Sequence, residues 1–367
     1  MAAKRLFLFF VIGNDDGKEK MSNQHYGGCD PPIPWIGGKS VLIPVIRRIM
    51  PDYPKKYVEV FGGGGALTFS GKIAPIQIYN DFNQHLVNFM RTLKSRADEL
   101  ISRLTGVYNA DGSLSDDLIR AYFLNARDQF IISSKVFYHG EDFDDYYEQI
   151  KKIINSAQTH DEKLHKLWLA GEIIKEYDDR TKDPRLWDAV NFYILMKCSY
   201  SATGTSWAIK PVNYESVINL LNGAFRMLQS VIIEHKDCID LIKFHDAPGT
   251  FFYCDPPYYM AEDLYNGVPL FGDEKHKQLH DTLLNCESKV LLSYNDCKFI
   301  DELYCEDKWY KMRVARPNSM ILHNEPGALY NEFLIANYDI FSLYNNGVQT
   351  TFFNDYEPID NEGRIVL

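Results

Sequence analysis

The chain has 367 residues, enough for one large domain or two, and its 46% apolar and 24% charged residues are an ordinary globular composition. A formal net charge of −11 gives none of the basic signature that nucleic-acid binders usually carry, although net charge does not describe faces. The 7 cysteines are scattered without a C-x-x-C pair, which argues against a disulfide framework or a zinc site and for reduced thiols in a cytosol.

At the N-terminus, Lys4 and Arg5 precede the apolar run Leu6–Ile12, the outline of a short signal peptide. No small-residue cleavage site follows, and the run is far too short to span a bilayer. Residues 1–24 therefore read as a leader that can be disordered, with Met21 an alternative start. In PWIGGKSVLIPVIRRIMP a Gly-Gly turn leads into an apolar-periodic helix that ends at Pro51. KKYVEVFGGGGALTFSG then reads as a strand over Tyr57–Phe61, a glycine turn and a helix from Ala66, the opening unit of a doubly wound α/β sheet. IQIYNDFNQHLVNFMRTLK repeats the plan, with a strand over Ile76–Tyr79, Asp81 at its end and a helix to about Lys94.

Residues 101–204 change character. DDLIRAYFLNARDQFI, DDYYEQIKKII and DEKLHKLWLAGEIIKEY are amphipathic helical patterns with no strand–Gly–helix unit between them, so this stretch reads as an inserted helical subdomain. The α/β plan resumes with VIIEH as a strand, DCIDLIKFH as a helix, TFFYCDPPYY as a strand and turn, HKQLHDTLLN as a helix and KVLLSYND as a strand. WYKMRVARPNSM and EFLIANYDI suggest a closing hairpin, 341–367 form a C-terminal extension, and its tail NNGVQTTFFNDYEPIDNEGRIVL shows no clear period. The main domain thus comprises 25–100 and 205–340.

A glycine-rich strand-to-helix turn lets a ligand approach the backbone beside a helix N-terminus. A P-loop does not fit: for GGKS at 37–40 the first glycine would fall on Ile33, and for Gly71–Lys72 on Ala66. A dinucleotide pattern is incomplete, because Leu67 and Thr68 fill its last places. S-adenosylmethionine has a ribose and no phosphate, and needs an acid after the next strand. Asp81, 19 positions beyond Gly62, stands about where that acid is expected; as a helix cap it would serve structure alone. Glu59 either faces the cofactor's amino acid end or is a solvent-facing strand residue.

PWIGGK, EVFGGGGALTF, YNDFNQHLVNF, FYCDPPYY, LLSYND and YNEFLIANY, in that order, resemble the bacterial and phage DNA adenine methyltransferases of the alpha group over about residues 33–338. The resemblance implies a Rossmann-like, S-adenosylmethionine-dependent methyltransferase sheet whose helical insert recognises DNA. It implies that Trp35 and Lys39 flank the cofactor's methionine end, that Phe61, Gly63 and Gly65 form its turn, that Asp81 holds its ribose and that Asp237 faces its adenine. Two departures stand out. Cys238 replaces the usual aromatic after Asp237, and CSYSATGTSW replaces an Asn-aromatic-Asn-Gly stretch, so recognition residues do not carry over. A cytoplasmic bacterial or phage enzyme acting on double-stranded DNA, with or without a cognate restriction endonuclease, is what the resemblance implies.

The chemistry of D-P-P-Y follows from its residue types. The 6-amino nitrogen of adenine is a weak nucleophile because its lone pair is delocalised into the ring. Two acceptors at the amino hydrogens, the Asp255 carboxylate and the Pro256 carbonyl, would favour a pyramidal nitrogen, and the Pro-Pro pair stiffens the turn. Tyr258 would stack on the base after it leaves the duplex. Asp255 would also favour the sulfonium charge, and no cysteine nucleophile is needed. The plain alternative is a capped loop. Asp in the motif's first position leans to adenine over the 4-amino group of cytosine, and the intact motifs argue against an inactive DNA-binding relative. A nicotinamide-dependent oxidoreductase lacks its third glycine. His276 and His280 have i, i+4 spacing but no third ligand, so they read as a solvated helix face and no metal is expected. Lys311, Arg313 and Arg316 form a small basic stretch that would touch phosphates or merely edge a strand.

Overall fold

The computed structural model describes residues 10–11, 27–107, 183–199, 202, 204, 214–261, 268–317, 329–346 and 365–366. Most of the leader, the acidic helical patterns between 110 and 180 and most of CSYSATGTSW lie outside these residues. The chain divides into two compact units, one of Met1–Pro31, Gly37–Phe82 and Gln229–Leu367, the other of Pro32–Ile36 and Asn83–Leu228.

The first unit is built on a seven-stranded sheet. Its strands are β2 (Lys56–Glu59), β3 (Ile76–Asn80), β4 (Val231–Glu234), β5 (Thr250–Cys254), β6 (Lys289–Asn295), β7 (Tyr310–Pro317) and β8 (Leu329–Ala336), in the order β4-β3-β2-β5-β6-β8-β7. The first five in that order are parallel, and β8 runs antiparallel between β6 and β7. A two-residue parallel pair, β1 (Phe10–Val11) with β9 (Ile365–Val366), forms a second, separate ladder. The expected strand–helix units are all present, with α1 (Ile43–Ile49), α2 (Ala66–Phe69), α7 (Cys238–His245), α8 (Asp273–Leu284), α9 (Lys298–Leu303) and α10 (Ile340–Asn346) around the sheet. The hairpin also forms, but its second strand inserts next to β6. Helix α10 covers the start of the C-terminal extension and ends where the stretch without clear period begins.

Strand β5 shows why this sheet forms here. All five of its residues are buried, as a central parallel strand covered on both faces requires. Its side chains alternate between two apolar layers. Phe252 and Cys254 join Val58, Ile78, Leu241, Leu279 and Leu292 on one face, and Phe251 and Tyr253 join Ile46, Ile49, Tyr57, Leu291 and Leu334 on the other. Truncating a buried phenylalanine such as Phe251 would cost about 3–5 kcal/mol. The strand order reverses between β2 and β5, and ligands of open α/β sheets bind beyond the carboxyl ends of strands at such a switch point.

The second unit is helical where described: α3 (Gln84–Ser95), α4 (Ala97–Val107), α5 (Pro184–Cys198) and α6 (Tyr214–Leu228). Asn83 caps α3 by accepting from the Leu86 amide at 3.1 Å, and Asp183 caps α5 ahead of Pro184. Helices α3 and α5 join through stacked Phe89 and Tyr193 and through His85 Nδ1, 2.6 Å from Asp188. Among the described residues no helix is long and apolar enough to cross a membrane.

Candidate functional site

The glycine turn follows β2. Gly63 and Gly65 adopt φ of 50° and 77°, a conformation that favours glycine, and Gly65 caps α2. Gly62 is required for a different reason: a Cβ there would lie 2.2 Å from the buried Tyr79 ring. The Tyr79 hydroxyl donates to the Gly63 carbonyl at 2.7 Å, and the Gly63 amide donates to Asp81 Oδ2 at 2.8 Å. Asp81 therefore sits against the turn, and the cap of the following helix is Asn83. The capping role weighed for Asp81 thus falls to Asn83.

Glu59 is buried, not solvent-facing. Its Oε2 accepts from the Thr68 amide at 2.9 Å and from the Thr68 hydroxyl, bracing the start of α2. Burial pushes its carboxyl up to about 7, and the Thr68 bonds oppose that rise. Phe61 meets Phe271 edge-on at 5.6 Å. Asp237 caps α7, accepting from the Ile239 amide at 2.9 Å, and its other oxygen pairs with Lys275 at 2.7 Å.

Asp255 follows β5, the strand adjacent to β2, so it and the glycine turn leave the sheet at the same end. Its Oδ2 is 2.7 Å from Lys39 Nζ, and its Oδ1 accepts from the Ser293 hydroxyl at 3.1 Å. A fifth of its side chain stays accessible. Burial pushes its carboxyl up from the ordinary range, while Lys39 and Ser293 pull it back. Lys39 is 3% exposed, donates also to the Gly37 carbonyl at 2.6 Å and lies 4.7 Å from the Tyr258 ring centre. Pro256 is buried, and the Tyr258 hydroxyl donates to Glu332 Oε2 at 2.9 Å.

The structure thus gathers Lys39, Asp255 and Tyr258 in one cluster, and Gly63, Gly65, Asp81 and Glu59 around the neighbouring turn. Trp35 belongs to the helical unit, where its ring tilts against Phe192 at 6.2 Å. Lys311 is paired with Asp301, and Arg313 with Asp296 at 2.9 Å; of Arg316 only the backbone register opposite Tyr330 is described. The histidine reading needs correction. His276 and His280 are buried in the core, not solvated: His276 Nδ1 bonds the Tyr294 hydroxyl at 2.9 Å, and His280 contacts Glu306. Leu279 and Leu283 continue the same stripe of α8, so helical spacing marked this face as inward. Among the described residues no group of His, Cys, Asp or Glu could hold a metal. Sequence reasoning missed Ser293, Asn295 and Glu332. Their signal was a polar residue within strands that are otherwise apolar on both faces.

A family model described as D12 class N6 adenine-specific DNA methyltransferase matches residues 35–316. A type II methyltransferase of Lactococcus lactis subsp. cremoris is 24% identical over 318 residues, covering 83% of this chain and 94% of that protein. A DNA adenine methylase of Haemophilus influenzae is 22% identical over 300 residues, 78% of this chain and 86% of that one. A type II methyltransferase of Methanocaldococcus jannaschii is 24% identical over 237 residues, 62% of this chain and 68% of the relative.

Proposed function

The chain belongs to the D12 class of N6 adenine-specific DNA methyltransferases, and we propose that it takes the methyl group from S-adenosylmethionine and transfers it to an adenine flipped from double-stranded DNA toward Asp255. The observation that carries this reading is a carboxylate held at both oxygens just beyond β5, beside a glycine turn whose Gly63 amide is bound by the Asp81 carboxylate. A phosphate at that turn would face the Asp81 carboxylate. A ribose offering hydroxyl donors suits Asp81 and a cationic sulfonium suits Asp255, so the residues fit S-adenosylmethionine. Bound there, it supplies an electrophilic methyl group.

The chain's own residues do the rest. Gly63 and Gly65, with Phe61, let the backbone approach the ligand, and Asp81, fixed by the Gly63 amide, accepts from the ribose. Glu59 faces the amino acid end while bracing α2. Asp237 accepts from the cofactor's adenine. Each oxygen of Asp255 keeps acceptor capacity beyond Lys39 and Ser293 for an amino hydrogen of the target base, and Pro256 supplies the second acceptor. Lys39 holds Asp255 in place and lines the methionine end. Tyr258 supplies the stacking surface, worth about 1–3 kcal/mol per base.

Target recognition is assigned to the helical insert at 101–204. Lys311 and Arg313 carry carboxylate partners already, so as phosphate contacts they contribute little. The type II names of two relatives support a restriction–modification role with a cognate endonuclease. Expression in a host lacking adenine methylation, followed by sequencing of modified bases, tests the reading. N6-methyladenine in one short sequence is the expected result; methylated cytosine or unmodified DNA would contradict it.

A further inference from the structure

Strands β6 and β8 carry polar side chains where their neighbours are apolar. Along β6, Ser293 and Asn295 follow Leu291 on one face, and along β8, Glu332 precedes Leu334 and Ala336. Asn295 and Glu332 are partners in the antiparallel register. Glu332 is 0% exposed. Burying a carboxylate in a sheet is costly unless it is hydrogen-bonded, and a leucine would fill such a position at lower cost.

What these side chains hold is the turn after β5. Asn295 closes two bonds on one residue: its Oδ1 accepts from the Tyr259 amide at 3.1 Å and its Nδ2 donates to the Tyr259 carbonyl at 3.0 Å. Glu332 accepts the hydroxyl of the preceding Tyr258 at 2.9 Å, at the far end of the ring from the backbone. The ring is therefore fastened at both ends, by the Pro-Pro turn and Asn295 on the backbone side and by Glu332 at the phenol. Tyr330 lies parallel to it, 6.3 Å between centres.

We propose that Glu332 and Asn295 are positioning residues for the target base, fixing the plane of the Tyr258 ring on which the flipped adenine stacks. This rests on the stacking role given to Tyr258 above. Neither residue touches the base. They act by removing the freedom of the ring to tilt, so that the amino nitrogen arrives in line with the methyl group. Small misplacements of reacting atoms cost rate steeply, about 100-fold for 1 Å.

The test is a mutant cycle in single-turnover methyl transfer, with enzyme in excess, saturating tritiated S-adenosylmethionine, and genomic DNA from a host lacking adenine methylation. Tyr258→Phe and Glu332→Leu are each expected to slow transfer roughly 10- to 100-fold, with S-adenosylhomocysteine affinity unchanged. The double variant should fall no further than the slower single variant, because both remove the same bond. Glu332→Gln keeps an oxygen acceptor and should recover most of the loss. Asn295→Ala should slow transfer without weakening S-adenosylhomocysteine binding. Wild-type rates for Glu332→Leu and Asn295→Ala, or multiplicative losses in the double variant, would overturn the proposal. Should Glu332→Leu fail to fold, Asn295→Ala and Tyr258→Phe are read singly, and a wild-type rate for either overturns the proposal. Asp255→Ala run alongside separates the two levels. If it is inert while the Glu332 and Asn295 variants are unaffected, only this inference falls; if it is active, the reading of the site falls first.

Discussion

The two turns at the switch point are fastened at different groups. The turn after β2 consists of glycines and is gripped at its backbone: Gly63 donates its amide to Asp81 and receives the Tyr79 hydroxyl on its carbonyl. The turn after β5 contains no glycine between Asp255 and Tyr259 and is gripped mainly at its own side chains, Asp255 by Lys39 and Ser293 and Tyr258 by Glu332, with Asn295 on the Tyr259 backbone. A ligand that must lie against the chain needs a surface without side chains. A base that must be presented at a defined angle needs groups that cannot move. On the proposed reading the first turn binds the cofactor and the second handles the base, which predicts that lesions in the two produce different defects.

The largest effect is expected at Asp255. Its replacement by alanine should reduce methyl transfer roughly 10²–10⁴-fold with DNA binding retained, as a gel-shift assay run beside the tritium assay would read, because duplex affinity rests mainly on phosphate contacts. Asp81→Ala should instead weaken S-adenosylhomocysteine binding by about 1.5–3 kcal/mol in calorimetry, with little change in melting temperature. Glu59 gives a pH signature of the first turn alone. Its folded carboxyl, raised from 4.5 to about 7, binds its proton more tightly than in the unfolded chain. Its contribution to stability is therefore full below about 4.5 and is lost as pH rises to about 7, on the order of 3 kcal/mol in all. Glu59→Gln should flatten that part of the stability–pH curve in chemical denaturation; an unchanged slope would show that Glu59 is ionised when folded. The smallest effect is expected at Lys311, already paired with Asp301: alanine there should change the log–log salt slope of DNA binding by less than about one unit.

Much of the geometry of the two turns was legible in the sequence, and unequally so. The glycine run and the Pro-Pro pair announce themselves because each breaks a strand with residues that have few other uses there. Strand β5 was visible as a short apolar run with turn residues behind it. Asp81 was visible only as a choice between ligand acid and cap, since both roles favour Asp near a helix start; the Asn83 side chain, two residues on, takes the cap. Glu332 and Asn295 stood out at most as polar residues in apolar strands, and what they hold stayed hidden because their partners in the turn after β5 lie 74 and 36 residues away in the chain. The place of β8 between β6 and β7 was hidden for the same reason. His276 and His280 were misjudged because histidine was weighed as a ligand or a surface residue, although Leu279 and Leu283 beside them marked the buried stripe.

The division between the two turns is tested most directly by single-turnover methyl transfer measured for Asp81→Ala and Asp255→Ala across a range of S-adenosylmethionine concentrations up to saturation. The account predicts that Asp81→Ala climbs back toward the wild-type rate as the cofactor is raised, whereas Asp255→Ala stays below a few per cent of it (roughly the 10²-fold loss expected for a lost acid–base group) at every concentration. An Asp255→Ala enzyme that reaches wild-type turnover at saturation would contradict it.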